Sequence, residues 1–267
     1  MKLTVQIVNY NSREIIRECL DSLKENLENI HESDVLIINN DPDKLSELIE
    51  DIKPFKAKVI EVNENIGFGR AHNLGCCEKR GEFILFLNPD TKVPRGAFKE
   101  MLSVIESDKK VGIVGPVLVD HNGRAAEESY GFNKTPLSII KNKLFPSGHE
   151  DENENIFEVD WVSGGAMLIR KNLFDELGGF DENYFMYFED VDLCLQAKKR
   201  GYKIMVHPSI RIFHQSGQSF ADNQNKKKYY YDSQEYYFRK NFGTTKTVLL
   251  KLLRLPFYIK NVIYNKK

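Results

Sequence analysis

The chain reads as an α/β protein built on a doubly wound, mostly parallel sheet, and three observations predict it. Through its first 115 residues, short β-branched runs alternate with segments of helical period. Each run is closed by a short polar turn, and strands alternating with helices in this way imply right-handed crossovers between parallel strands. A length of 267 residues, 41% hydrophobic and 29% charged, is enough for a substantial core.

Residues 3–8 (Leu-Thr-Val-Gln-Ile-Val) alternate and read as a strand, too short and polar-flanked for a leader or a membrane span. Asn9-Tyr10-Asn11-Ser12 breaks it, with Ser12 or Asn11 as the N-cap of a helix over 13–27. There Ile15, Ile16, Cys19, Leu20, Leu23 and Leu27 recur at helical spacing. The cycle repeats as a strand over 35–38, the turn Asn39-Asn40-Asp41-Pro42, a helix over 43–52 and a strand over 57–62. A turn over 63–67 leads into a helix through Arg80, and 83–87 is a strongly apolar strand. Asn88-Pro89-Asp90-Thr91 closes that strand, before a helix over 94–107 and a strand over 111–114.

After Gly115 the alternation stops, and 120–157 reads as a turn-rich, acidic loop. Strand character returns over 157–162 and 166–170; a helix over 171–177 ends at Gly178-Gly179, a C-cap signal. A further helix runs to about Arg200, and 202–206 and 210–213 are strand-like, with His214 closing the second. Residues 226–239 are rich in lysine and tyrosine, but Tyr230, Gln234, Tyr237 and Asn241 share one side of a helix. That spacing favours a packed amphipathic helix over a stacking platform for single-stranded nucleic acid.

The formal net charge of −1 argues against a nucleic-acid partner, since phosphate-tracking proteins carry a basic surplus. Cys19, Cys76, Cys77 and Cys194 form neither a zinc pattern nor a disulfide framework, which points to reduced thiols and a cytoplasmic protein. From Thr244 onward the chain has no acidic residue, and Lys251, Arg254 and Lys260 interrupt its apolar run. It cannot comfortably span a bilayer. It suits an amphipathic helix on an anionic membrane surface, kinked at Pro256; the alternative is packing against the domain or a second copy of the chain.

The stretch from Gly179 to Cys194 carries the most chemistry: an aromatic run delivers Glu189, Asp190 and Asp192 within four positions. Aromatic burial can raise a carboxylate's pKa toward the range of a general base, whereas the plainer reading is an acidic helix start. Asp90 stands at a strand's carboxyl end, where one carboxylate with substrate phosphates can hold a divalent cation. His214 is a second candidate ligand. Residues 65–75 form a glycine-bearing strand-to-helix turn suited to phosphate, with Arg70 beside it; Trp161 with Gly164 and Gly165 offers an aromatic wall against open backbone.

Taken in order, Val5 to Asn11, the element from Asn65 to Gly75, Asn88-Pro89-Asp90, Gly178-Gly179-Phe180-Asp181-Glu182 with Tyr187 to Cys194, and the later His214 resemble the inverting glycosyltransferases of family 2. The likeness is to their rhamnosyltransferase-like branch and covers about residues 3–216. The resemblance implies a GT-A fold, with a nucleotide-sugar-binding half over 1–115, an acceptor half over 116–216 and a helical extension over 217–267. It implies that Tyr10 and the turn from Asn39 to Asp41 hold nucleobase and ribose, with Val8, Asn65, Gly67 and Asn88 completing the donor side and Arg70 near the diphosphate. Asn39 stands where the family often shows Asp, so base recognition could shift to Asp41 or Asp43. Asp90 would bind Mg2+ or Mn2+ with His214 as a further ligand, Asp190 would be the base with Glu189 alongside, and Trp161, Gly164 and Gly165 would border sugar or acceptor.

The expected activity is therefore metal-dependent, inverting transfer of a sugar from a nucleoside-diphosphate donor, dTDP-rhamnose first and a UDP-hexose second. The acceptor would be a hydroxyl of a glycan or lipid-linked glycan of a cell-envelope polysaccharide, at the inner face of the cell membrane. A nucleotidyltransferase, or a non-catalytic sugar-nucleotide-binding or membrane scaffold protein, is the alternative.

Overall fold

A computed structural model of the chain describes residues 2–28, 30, 32–45, 57–77, 81–132, 135–139, 155–215 and 223–259. The expected helix over 43–52 lies largely outside them, as do 78–80 and much of the acidic loop. The first half contains β1 (Leu3–Asn9), α1 (Ile16–Leu27), β2 (Ser33–Asn39), β3 (Ala57–Glu61), α2 (Phe68–Cys76), β4 (Phe83–Leu87), β5 (Thr91–Lys92) and α3 (Ala97–Ser107). It is followed by β6 (Val111–Val119), β7 (Tyr130–Gly131), β8 (Phe157–Val159), β9 (Trp161–Val162), β10 (Ala166–Arg170), α4 (Lys171–Leu177), α5 (Glu189–Lys199), β11 (Lys203–His214) and α6 (Asn223–Tyr258).

Among the described residues nine strands form one sheet in the order β3-β2-β1-β4-β10-β6-β11-β5, with β8 on β11. β3, β2, β1 and β4 are parallel, and so are β6 and β11; β10 runs antiparallel between β4 and β6. Alternate side chains separate the two cores. Phe83, Leu85 and Leu87 meet α1 and α3 on one face; Ile84 and Phe86 meet Phe174, Phe180 and Leu193 on the other. Each such side chain, fully buried, contributes roughly 1.5–3 kcal/mol.

Several local readings change. Neither Ser12 nor Asn11 caps α1: Ile15 holds the N-cap position without a side-chain bond, and the Ser12 hydroxyl donates to the Tyr10 carbonyl at 2.9 Å. β6 continues to Val119 through Pro116, although proline lacks a ladder donor. The strand tolerates it because the β6–β11 register breaks there, His207 facing Pro116 and Arg211 facing Val117. The same irregularity lets 202–206 and 210–213 run on as the single strand β11. Conversely, the expected strand over 157–162 divides at Asp160, β8 pairing with β11 and β9 with β7.

The tail bends at Gly243 (φ 83, ψ 173), ahead of Pro256, and its distal part folds back on the proximal part of α6. Leu250 is fully buried; Arg254 donates to the Tyr231 carbonyl at 2.9 Å and to Gln234 Oε1 at 3.0 Å, and pairs with Glu235 at 3.1 Å. Tyr237 and Phe238 are built into the second core. One face of the tail is thus packed against the domain.

Candidate active site

The turns at the carboxyl ends of β1, β2 and β4 open into one cavity of about 500 Å3, where ligands of such sheets sit. Val8 and Tyr10 line it from β1, Asn88 and Asp90 from β4, and Asn65 and Gly67 from the turn into α2. The β9–β10 turn adds Gly164 and Gly165 beside Trp161, α5 adds Glu189 and Asp190, and the end of β11 adds His214.

Asp90 and His214 meet because β5 pairs antiparallel with β11, His214 facing Thr91, and the Gln215 N–H donates to the Asp90 carbonyl at 3.0 Å. His214 Nε2 lies 3.2 Å from Asp90 Oδ1 and 3.0 Å from the Asn88 amide nitrogen. An Nε2 that accepts from Asn88 has no proton to give the carboxylate. Asp90 Oδ1 is buried and has no hydrogen-bond partner among the described residues. A carboxylate oxygen beside an imidazole is a donor pair that suits Mg2+ or Mn2+ once diphosphate oxygens complete the set. Among the described residues no group of three His, Cys, Asp or Glu side chains could hold a metal unaided.

The three clustered acids have three different surroundings, since successive residues of a helix point roughly 100° apart. Asp190 turns into the cavity, its Oδ2 accepting the Gly164 N–H and its Oδ1 the Val191 N–H, each at 2.8 Å. Glu189 is 5% exposed with Oε2 unpartnered, and burial, reinforced by the Asp190 charge, holds its pKa well above the usual carboxylate range. Asp192 points away from the cavity, taking Lys240 Nζ at 2.6 Å and Asn241 Nδ2 at 2.7 Å.

The aromatic run fixes the backbone that presents these acids. Tyr187 (φ 70) and Phe188 (φ 68) are consecutive left-handed non-glycine residues, each costing of order 1–3 kcal/mol. Phe188 is held between Tyr230 and Tyr237, ring centroids 5.4 and 5.3 Å away, and Tyr187 lies 5.8 Å from Tyr230. Packing of α6 therefore offsets the strain that aims the start of α5.

Three expected donor residues lie outside the cavity wall. Asn39 is fully buried at the end of β2, its amide donating to Asp43 carbonyl (2.8 Å) and Glu61 Oε2 (2.5 Å) and accepting from Asn9. Asp41 accepts the Asn11 N–H at 2.6 Å, and Arg70 sits on the outer face of α2, 3.2 Å from Glu182. The turn before α2 is also less open to phosphate than its sequence suggests. Its Gly67 N–H donates to Asn65 Oδ1 and its Phe68 N–H to the Phe185 carbonyl. A Cβ on Gly67 would stand 2.5 Å from that carbonyl oxygen, so close approach explains the glycine. Asn40, within the turn expected to hold nucleobase and ribose, does line the cavity; lining residues that sequence reasoning missed include Phe68, Glu128, Lys226, Lys227 and Tyr230.

The model of glycosyl transferase family 2 matches residues 4–178. The chain belongs to glycosyl transferase family 2. The matched segment of this family 2 chain ends before Glu189, so the placement of the acids comes from the structure. Among curated relatives, the N-acetylglucosaminyl-diphospho-decaprenol L-rhamnosyltransferase of Mycobacterium tuberculosis (strain CDC 1551 / Oshkosh) is 26% identical over 61% of this chain, which spans 60% of that protein's length. Rhamnosyltransferase WbbL of Escherichia coli K12 is 28% identical over 73% of this chain and 78% of that protein. The solved mannosyltransferase PcManGT from Pyrobaculum calidifontis, in complex with GDP-Man and Mn2+, superposes with a TM-score of 0.61 at 16% identity, over 96% of this chain and 69% of that one. These likenesses agree with the GT-A fold expected of the family 2 chain.

Proposed function

We propose that the chain is an inverting glycosyltransferase moving a sugar from a nucleoside-diphosphate donor to a hydroxyl of a lipid-linked glycan in cell-envelope polysaccharide synthesis. dTDP-rhamnose is the first donor candidate, supported by the two rhamnosyltransferase relatives, and a UDP-hexose the second. The observation that carries the reading is that Asp190 and the Asp90–His214 pair line one and the same cavity.

An inverting transfer needs a proton acceptor on the acceptor side of the sugar and a charge sink beside the departing diphosphate. The Gly164 and Val191 N–H groups hold the Asp190 carboxylate in the cavity, where it would accept the acceptor hydroxyl's proton. Burial, reinforced by the Asp190 charge, raises the Glu189 pKa, so Glu189 gives up its proton less readily than an ordinary carboxyl. Asp90 and His214 would hold Mg2+ or Mn2+, which when bound neutralises charge on the donor phosphates. Val8, Tyr10 and Asn40 line the nucleoside side, and Trp161 with Gly165 the sugar or acceptor side. Asn39, Asp41 and Arg70 stand off the cavity lining, so this reading gives the nucleoside side to the residues that do line it.

A lipid-linked acceptor, of the kind in the mycobacterial relative's name, brings the reaction to the cytoplasmic surface of a membrane, with the protein peripheral to it. Among the described residues no helix is long and apolar enough to cross a membrane. The test is thermal unfolding with dTDP-, UDP- and GDP-sugars, with and without Mn2+, for the natural chain and Asp90→Asn. One nucleotide is expected to raise the midpoint only with metal, by roughly 2.7 kcal/mol of stability at about 100 times its Kd, and the variant to lose that gain. A flat panel overturns the donor reading.

A further inference from the structure

Four large apolar side chains stand exposed on one face of the distal part of α6: Val248 (50%), Leu249 (45%), Leu252 (65%) and Leu255 (49%). At roughly 100° per residue, Thr247, Leu250 and Arg254 occupy the opposite face, and all three are buried. The inward bonds of Arg254 and the 5.1 Å approach of the Tyr231 and Tyr258 rings fix the rotation of this helix. The outward apolar stripe is thus set by the packing beneath it.

The charge around the stripe identifies what it fits. Among the described residues Lys246 and Lys251 are the exposed cations beside the stripe; Lys251 meets Glu235 of the proximal arm at 3.0 Å in a solvent-exposed pair that contributes little, and Arg254 is turned inward on the opposite face. By helical spacing Lys246 and Lys251 fall on opposite flanks of the stripe, where long side chains can carry their ammonium groups to phosphate level while the leucines enter the acyl boundary. A second copy is a poorer match, because a two-fold contact through this face would set the same lysines of both chains against one another.

We propose that Val248, Leu249, Leu252 and Leu255, flanked by Lys246 and Lys251, form a docking face for an anionic lipid bilayer. The face gives structural content to the membrane placement above, on which it rests. The same helical hairpin supplies Lys226, Lys227 and Tyr230 to the cavity wall, so the element that docks also borders the site.

The test is sedimentation of the full chain with phosphatidylcholine vesicles, with and without phosphatidylglycerol, beside the triple variant Leu249→Ser/Leu252→Ser/Leu255→Ser and the single variant Leu252→Trp. The natural chain is expected on the anionic vesicles and much less on neutral ones. The triple variant should lose roughly tenfold or more of that binding, and Leu252→Trp should gain. Unfolding midpoints should stay unchanged, because these side chains already face solvent. Equal vesicle binding by the natural chain and the triple variant overturns the proposal, as does absence of binding to anionic vesicles. So does a natural-chain dimer that the triple variant converts to monomer without vesicle binding, which gives the face to a second copy. Neither donor nor acceptor is present, so failure here leaves the sugar-transfer reading to its own thermal test.

Discussion

Replacing Asp190 by Asn is the sharpest test of the proposed chemistry, and the structure shows that it is not a clean removal of a proton acceptor. Both carboxylate oxygens accept backbone N–H groups at 2.8 Å, from Gly164 and from Val191. A carboxamide keeps one oxygen, so one of these donors would face an NH2 group. A buried donor left without its acceptor costs about 1–3 kcal/mol, and at roughly 2–4 °C per kcal/mol for a chain of this size the midpoint should fall by about 2–12 °C. Turnover should fall by about 10²–10⁴-fold, the usual worth of a positioned base, while donor affinity stays near that of the natural chain. The assay is product formation below the variant's own midpoint, with donor binding followed through the donor-induced shift of that midpoint. Turnover within about tenfold of the natural chain refutes the base assignment. A donor affinity that falls in step with turnover would place Asp190 against the donor instead, and an unchanged midpoint would deny the two-bond clamp.

Glu189→Gln probes the neighbouring acid by pH. A carboxyl whose folded pKa is raised binds its proton more tightly folded than unfolded. Stability is therefore highest below the ordinary carboxylate pKa and falls as pH rises through the folded value. The variant should lack that decline in thermal unfolding as pH rises from the acid range, and parallel profiles would contradict a raised Glu189 pKa. Gly67→Ala should cost about 3 kcal/mol or more by denaturant unfolding. Its φ of 91° and ψ of 170° lie in a region essentially reserved for glycine, and the new Cβ would stand 2.5 Å from a backbone oxygen; a loss below about 1 kcal/mol would contradict this close approach.

Residues were legible in the sequence where one element's own periodicity decided their place, and were not where register between elements decided it. The apolar run Phe83 to Leu87 ends in Asn88-Pro89-Asp90, which fixes Asp90 at a carboxyl end without reference to any neighbour. Asn39 and Asn40 differ only by which is the last paired residue of β2. Asn39 is in register with Asn9 on one side and Glu61 on the other, so its amide is spent between strands and Asn40 reaches the cavity. That alignment joins positions far apart in the chain. Arg70 was decidable from α2 alone: Gly69, His72 and Gly75 form its inward face, and Arg70 falls on the opposite one.

The acid triplet shows how the matched and unmatched parts of the chain depend on one another. The family match ends at Leu177-Gly178, yet of the groups that hold Asp190 and its helix only the Gly164 N–H lies within it. Phe188 keeps its strained backbone only while Tyr230 and Tyr237 enclose it, and Asp192 keeps α5 seated through Lys240 and Asn241 of α6. The distal half of α6 in turn returns Arg254 to Tyr231, Gln234 and Glu235. A continuous line of contacts therefore runs from the proposed lipid-facing stripe, through both arms of α6, to the first turn of α5. The sheet within the family match supplies Asp90 and much of the cavity, and the C-terminal helices seat the proposed base that shares it.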